Sequence, residues 1–113
     1  MSLLSMLFGG GYPQSENIKL LSSEEFKEQI TSKKVQLVDV RTLREFKISH
    51  IKGAKNIDFY SGKFASEFNK LKKDKPVYVY CRSGSRSRHA SNKLAEMGFT
   101  EIYDLKGGII RYN

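Results

Sequence analysis

The chain has 113 residues and a mass of 12.9 kDa; 39% of its residues are hydrophobic and 28% are charged. This length fits one domain, and the ordinary apolar and aromatic content excludes a disordered or low-complexity chain. The single cysteine excludes an intramolecular disulfide and a multi-cysteine metal site, and it fits a reducing, cytoplasmic compartment. The formal charge of +8 fits small anions, acidic proteins or nucleic acid without choosing among them.

The first 15 residues carry no charge and include three consecutive glycines and a proline. They show neither a basic start nor a convincing cleavage site, so a secretory signal is not predicted. No apolar run approaches the ~20 residues that span a bilayer, so stable membrane insertion is not expected. We interpret residues 1–15 as a flexible tail, with a sticky apolar patch as the alternative, and residues 16–113 as the folded domain.

A helix is predicted to begin at Ser22, because Ser22 and Glu25 form a capping-box pattern. Phe26 and Ile30 then lie four residues apart on one helical face, which we expect to pack on the core. This helix would be the first regular element of the domain.

Short, almost continuously apolar segments predict strands at residues 35–40 and 77–81, with a weaker strand at 101–105. A helix is predicted at residues 86–97, ended by Gly98 in a left-handed conformation. Between the first two strands, the pattern predicts a helical turn at 43–48, a turn at Gly53, a brief strand at 55–57 and a helix at 61–71. Strands that alternate with helices indicate an α/β layered domain with a mainly parallel sheet.

The segment from Cys81 to Ser87 joins a buried strand to a helix, at the sheet edge where open α/β proteins bind ligands. A small loop with a central glycine lets backbone amides turn inward beside the positive end of the helix. These amides and the nearby arginines, Arg82, Arg86 and Arg88, favour thiolate over thiol, and thiolate is the nucleophilic form. The alternative is that Cys81 is a small buried hydrophobe and that the arginines are surface charges.

Two blocks of the sequence resemble the rhodanese family of sulfurtransferases. The first is LVDVR-x-x-x-EF-x-x-x-HI-x-GA-x-NI over residues 37–57. The second is V-x-VYCRSG-x-RS-x-x-A-x-x-x-L-x-x-x-GF over residues 77–99, followed by L-x-GG at residues 105–108. The resemblance implies a three-layer α/β domain whose mainly parallel central sheet is flanked by helices on both faces.

The resemblance also implies a chemistry. Cys81 would take a sulfane sulfur from thiosulfate or a related anionic donor as a persulfide and pass it to cyanide or an external thiol, since the chain holds no second cysteine. No metal or organic cofactor is required. The implied binding loop consists of Arg82, Ser83, Gly84, Ser85, Arg86 and Ser87.

Roles follow for individual residues. Arg82 is expected to meet the donor, whereas Arg86 braces the loop. The hydroxyl groups of Ser83, Ser85 and Ser87 are candidates to donate to the sulfur, with stabilisation of the helix start as the alternative for Ser87. Gly84 permits the sharp turn.

Asp39 and Arg41 follow the first buried strand and lie in the family's scaffold motif. We expect a structural ion pair or hydrogen bond there, with a catalytic role as the alternative. His50 is expected to be a hydrogen-bonded framework residue and His89 to face solvent. Neither shows the pattern of a Cys–His pair.

Departures from the family pattern affect the scaffold rather than the loop. Ser49 replaces a usual Gly, Asp58 a frequent Pro and Tyr112 a usual Trp. The loop holds four residues between Cys81 and Arg86, whereas cysteine phosphatases hold five around a tetrahedral phosphate. Sulfur transfer is therefore favoured over phosphatase activity.

Two further functions stay open. One is a binding or regulatory rhodanese module in which Cys81 is idle or senses oxidants. The other is sulfur delivery for RNA or cofactor modification, which only the +8 charge supports. Nucleic acid is not favoured as a partner, because the aromatic residues show no RNA-binding signature and clustered lysines usually form a solvated face. The sequence does not fix an oligomeric state.

Overall fold

The structure is a computed structural model, and it describes residues 12–13 and 15–112. Residues 1–11 of the expected tail lie outside this range, so the flexible tail stays a prediction. Tyr12, which belongs to that tail, packs against the hydrophobic core of the domain.

Five strands form one sheet in which every neighbouring pair is parallel, in the order β1-β5-β4-β2-β3. The strands are β1 Ile18–Leu21, β2 Gln36–Asp39, β3 Lys55–Asn56, β4 Val77–Tyr80 and β5 Ile102–Leu105. β4 lies at the centre with all four residues buried, which explains its uninterrupted apolar sequence. Whatever follows β4 is therefore held at the middle of the sheet's carboxyl edge.

Helices connect the strands. They are α1 Ser23–Ser32, α2 Leu43–Ile48, α3 Phe64–Phe68 and α4 Ser85–Glu96, followed by a 3-10 helix at Ile109–Arg111. The capping box predicted at Ser22 is confirmed, and Thr42 forms a second one with Glu45 at the start of α2. Gly98 has a φ of 101°, which confirms the left-handed end of α4.

Two hydrophobic clusters cover the two faces of the sheet, which confirms the three-layer α/β architecture. On one face, Phe64 and Phe68 of α3 and Ala90 and Leu94 of α4 pack on the sheet. On the other face, α1 contributes Phe26, and the 3-10 helix region adds Ile109 and Tyr112. Tyr112 fills the place where the family usually has Trp, with its ring edge-on to Phe26 at a centroid distance of 6.3 Å.

Two elements differ from the sequence-based expectation. The strand β1 was not predicted, because it is an edge strand of four residues in which only the two ends are buried. The helix expected at residues 61–71 is confined to Phe64–Phe68. Gly62 has a φ of 78°, and Lys63 offers no side-chain cap, so the backbone is not helical before Phe64.

Within the described residues, no helix is long and apolar enough to cross a membrane.

Candidate active site

Cys81 lies directly after β4, at the base of the loop that leads into α4. Its side chain is buried, with 1% of the residue surface exposed. The backbone amide of Gly84 donates to the Cys81 sulfur at 3.1 Å, and the thiol lies 3.5 Å from the hydroxyl oxygen of Ser87 as a donor. The sulfur therefore lies under the loop in contact with an inward-pointing amide and a hydroxyl group.

The loop backbone and the start of α4 together form the surroundings of the sulfur. Gly84 has a φ of 111°, a conformation that favours glycine and that turns the chain into the helix. The first amides of α4, at Ser85, Arg86 and Ser87, have no acceptor within the helix and form its positive end. Of the several inward-pointing loop amides that the sequence predicted, the structure shows one bonded to the sulfur, that of Gly84, next to a helix N-terminus.

The loop side chains divide into exposed and anchored ones. Arg82, Ser83 and Ser85 are exposed at the mouth of the loop. Arg86 instead forms two charged hydrogen bonds with Glu45 of α2, Nη1 to Oε1 at 2.6 Å and Nη2 to Oε2 at 3.0 Å. Glu45 is thus the partner through which Arg86 can brace the loop, the role that the sequence predicted for it.

Glu45 was part of the sequence motif, but its pairing across 41 residues was not foreseen. The hydrogen bonds from Arg86, assisted by Thr42 of the capping box, lower the pKa of Glu45 to about 2 despite partial burial. Glu45 therefore caps α2 and holds the first turn of α4 with the same carboxylate. This double use ties the loop to the second helix.

The segment after β5 holds the loop from the other side. The Ile109 amide donates to the Cys81 carbonyl at 3.0 Å, and the Ile110 amide donates to the Arg82 carbonyl at 3.2 Å. Gly108 has a φ of 70°, and a Cβ atom there would overlap the Arg82 carbonyl group. The glycine pair of the L-x-GG motif therefore permits the 3-10 helix to approach the backbone of the active loop.

Asp39 and Arg41 form the structural ion pair that the sequence predicted. The Asp39 carboxylate accepts hydrogen bonds from the Arg41 amide, Nε and Nη2, at 2.7 to 3.0 Å, and both residues are buried. Burial acts to lower the pKa of Arg41, but the hydrogen bonds and charge of Asp39 raise it. Arg41 also donates to the Ser49 carbonyl at 2.6 Å, which fastens the end of α2.

The two histidines lie apart from the sulfur chemistry. His50 is hydrogen-bonded to the Phe46 carbonyl at 2.8 Å and stacks on the Phe46 ring. His89 is exposed on α4. Both positions agree with the sequence-based expectation. No group of three His, Cys, Asp or Glu residues in the described part of the chain is arranged to hold a metal ion.

Asp104 near the carboxyl end of β5 was not singled out by the sequence reasoning. It is 1% exposed, and among the described residues its Oδ1 has no hydrogen-bond partner. Burial raises its pKa to about 6, and the nearby polar groups of Ser87, Tyr12 and the Leu105 amide lower it to a smaller extent. The available signal was the position of Asp104 two residues after the core residue Ile102, on the covered face of a predicted strand.

Comparisons with known proteins agree with this geometry. Residues 22–113 match the family model described as Rhodanese-like domain. The protein YqhL of Bacillus subtilis is 41% identical over 99 residues, which cover 88% of this chain and 75% of YqhL. The thiosulfate sulfurtransferase GlpE of Shewanella oneidensis is 34% identical over 92 residues, which cover 81% of this chain and 89% of GlpE.

A longer relative and a solved structure complete the comparison. The tRNA uridine(34) hydroxylase of Chlamydia trachomatis is 35% identical over 102 residues, and the match covers 83% of this chain but only 31% of the hydroxylase. The crystal structure of a rhodanese-like domain protein from Staphylococcus aureus superposes with a TM-score of 0.75 at 28% identity, covering 84% of this chain and 91% of that one. Since the family model spans nearly the whole described chain, the chain belongs to the rhodanese-like domain family.

Proposed function

We propose that this protein is a sulfurtransferase that carries a sulfane sulfur on Cys81 as a persulfide. The observation that supports the proposal most directly is the Gly84 amide that points at the Cys81 sulfur, beside the N-terminus of α4. An oriented amide and a helix N-terminus stabilise negative charge at an atom held beside them. Both the thiolate and the terminal sulfur of a persulfide carry such a charge.

The reaction has two displacements. The Cys81 thiolate attacks the outer sulfur of a donor such as thiosulfate, a sulfur–sulfur bond forms at Cys81, and sulfite leaves with the electron pair of the broken bond. An external nucleophile, cyanide or a thiolate, then attacks the terminal sulfur and restores the Cys81 thiolate. The acceptor is external because the sequence contains one cysteine.

Burial of Cys81 limits what can react with it. Only one sulfur atom has to enter the loop, whereas the charged remainder of the donor stays outside. Exposed Arg82 provides a positive charge at the mouth of the loop for that anionic remainder. The loop of four residues between Cys81 and Arg86 also favours a single sulfur atom over a tetrahedral phosphoryl group.

The relatives support this class of activity and leave the substrate open. GlpE is named a thiosulfate sulfurtransferase, and it matches this chain over most of its own length. The hydroxylase matches over 31% of its length, so its activity on tRNA concerns a much larger protein. We therefore propose thiosulfate or a related small sulfane donor rather than an RNA substrate.

The burial of Cys81 favours one competing function, a binding or regulatory module in which the cysteine does not turn over. Such a module would bind its partner through the exposed basic surface. It predicts an intact fold with no persulfide after exposure to sulfur donors.

The deciding experiment is mass spectrometry of the intact protein after exposure to thiosulfate. The wild type is expected to gain the mass of one sulfur atom on Cys81 and to lose it again on addition of cyanide. The Cys81→Ser variant is expected to gain nothing and to produce no thiocyanate. An unmodified wild type, or equal thiocyanate production by both proteins, would reject sulfur transfer through Cys81 and favour the binding module.

A further inference from the structure

The interface between α4 and the sheet is apolar except for three buried polar residues, Ser87, Ser91 and Asp104. Within the described part of the chain, three buried side-chain atoms lack hydrogen-bond partners: Asp104 Oδ1, Ser91 Oγ and the Tyr12 hydroxyl oxygen. An unpaired polar group in the interior destabilises a fold, so its presence indicates a role other than stability. An orphaned carboxyl group behind a candidate nucleophile therefore requires an explanation.

The sheet register places Asp104 next to Cys81. Asp104 of β5 is opposite Val79 of β4, and Cys81 follows Val79 by two residues. Because side chains two residues apart in a strand share one face, Cys81 and Asp104 are diagonal neighbours on the face that α4 covers. Diagonal neighbours of this kind are separated by about 7–8 Å, a distance that one side chain can bridge.

Ser87 is the side chain that lies in this gap. Its Oγ is 3.5 Å from the Cys81 sulfur, and its hydroxyl donates to the Gly84 carbonyl at 3.3 Å. The Ser87 side chain is also near enough to Asp104 to lower the pKa of that carboxyl group. A hydroxyl group rotates freely, so Ser87 can accept from the Cys81 thiol while it donates to Asp104.

We propose that Asp104 is a positioning residue that takes up the Cys81 thiol proton through the Ser87 hydroxyl. In this step the S–H bond of Cys81 breaks, its proton binds Ser87 Oγ, and the hydroxyl proton of Ser87 passes to the Asp104 carboxylate. The products are a thiolate and a neutral carboxylic acid, so the net charge is unchanged and no oxidation occurs. The inference rests on the proposed function, in which the Cys81 thiolate is the nucleophile.

Electrostatics support a shared proton. Two negative charges this close in a poorly solvated interface disfavour each other, which favours a single proton shared between Cys81 and Asp104. Burial raises the pKa of Asp104 to about 6, which makes this carboxyl group a much better proton acceptor than an ordinary aspartate.

Other titratable or charged groups also face Asp104. Asp104 lines a surface pocket of about 730 Å³, and this pocket would let the carboxyl proton exchange with water. The same pocket is lined by Tyr12 from the N-terminal segment, Arg88 and His89 from α4 and Lys106 after β5, and Cys81 approaches Asp104 from the neighbouring strand β4. His89 is the one histidine among them, so it needs its own control.

The test is the rate of Cys81 alkylation by iodoacetamide between pH 5 and pH 9, followed by mass spectrometry of the intact protein. This readout needs no sulfur donor. The wild-type rate is expected to fall about tenfold per pH unit below an inflection near pH 6 and to be nearly level from pH 7 to pH 8. In Asp104→Asn and Ser87→Ala the alkylation rate is expected to keep rising from pH 7 to pH 8 instead of levelling off. At pH 7 it is expected to be about tenfold lower than in the wild type, the change that a shift of the rate profile by one pH unit produces.

Two matched variants separate the relay from general disturbance. Ser91→Ala removes a buried hydroxyl from the same face of α4, and His89→Asn removes the neighbouring histidine; both are expected to retain the wild-type profile. An inflection near pH 6 that persists in Asp104→Asn would overturn the inference, and so would its loss in His89→Asn. If the persulfide fails to form but the profiles behave as described, the proposed function fails and the relay stands. If the persulfide forms and the variants keep the wild-type alkylation profile, the proposed function stands and the relay through Ser87 and Asp104 fails.

Discussion

Two buried aspartates flank the central strand, and they differ in their partners rather than in their burial. Asp39 ends β2 on one side of β4, and Asp104 belongs to β5 on the other side. Asp39 is fully bonded to Arg41, whereas Asp104 has an oxygen without a partner in the described chain. The contrast indicates that one carboxylate holds the scaffold and that the other is kept available for a proton.

The two regions also connect to different parts of the fold. The pair of Asp39 and Arg41 connects the end of β2 to the Ser49 carbonyl at the end of α2. Asp104 faces the interface under α4, where Ser87 contacts the Cys81 sulfur. Substitution of each aspartate by asparagine therefore tests its own role, the scaffold role for Asp39 and the proton-accepting role for Asp104.

The largest effect is expected for Asp39→Asn. The substitution removes the negative charge and leaves Arg41 buried without its counterion, which costs about 3–5 kcal/mol in proteins where one partner of a buried pair is removed. Urea denaturation at pH 7.5 measures this loss of unfolding free energy. Asp74→Asn, at an exposed position, is the matched control and should leave the denaturation midpoint unchanged. A similar midpoint for both variants would contradict a scaffold role for Asp39.

The substitution Asp104→Asn is expected to act in the opposite direction. Below pH 3.8 the Asp104 carboxyl is mostly protonated in both the folded and the unfolded protein, so its burial costs little. Since the pKa of the folded state is raised to about 6, wild-type stability falls as the pH rises from 3.8 to about 6. At pH 7.5 the variant should be about 2–3 kcal/mol more stable, the equivalent of a shift of roughly two pH units.

The measurement is the difference in unfolding free energy between the wild type and Asp104→Asn as a function of pH. The difference is expected to be largest above pH 7 and to shrink towards pH 4. A destabilised variant at pH 7.5, or a difference independent of pH, would show that the ionised carboxylate is a structural group like Asp39. A gain in stability joined to slower alkylation would instead be a trade of stability for reactivity.

The comparison also shows what the sequence could predict. The ion pair of Asp39 and Arg41 was predictable, because two residues of opposite charge lie two positions apart at the carboxyl end of a buried strand. The loop from Cys81 to Ser87 was predictable for the same reason, since its chemistry is contained in seven consecutive residues. Local patterns of this kind also gave the capping box at Ser22.

Contacts between distant residues could not be predicted in this way. The pairing of Glu45 with Arg86 spans 41 residues, and the approach of Asp104 to Ser87 depends on the order of strands in the sheet. The edge strand β1 was missed because its burial pattern does not alternate, so it has no period of two to detect. Each of these features requires the tertiary arrangement before its chemistry becomes visible.

The smallest effect is expected for Glu45→Gln. Glu45 and Arg86 form a close bidentate pair at a partly exposed site, so we expect a loss of about 1 kcal/mol in unfolding free energy at pH 7.5. Because the pKa of Glu45 is lowered to about 2 in the folded protein, this contribution is present above pH 4.5 and is lost as the pH falls towards 2.

Urea denaturation at pH 7.5 and at pH 3 tests both the size and the pH dependence of this contribution. Glu67→Gln is the matched control, since the ion pair of Glu67 with Lys70 has a similar length of 2.8 Å but its lysine is exposed, whereas Arg86 is partly buried. Loss of this exposed pair should not shift the midpoint. Equal midpoints for the two variants would mean that Glu45 does not anchor the start of α4. A selective loss in Glu45→Gln would show that the loop around Cys81 is stabilised from α2 as well as by the backbone hydrogen bonds of Ile109 and Ile110.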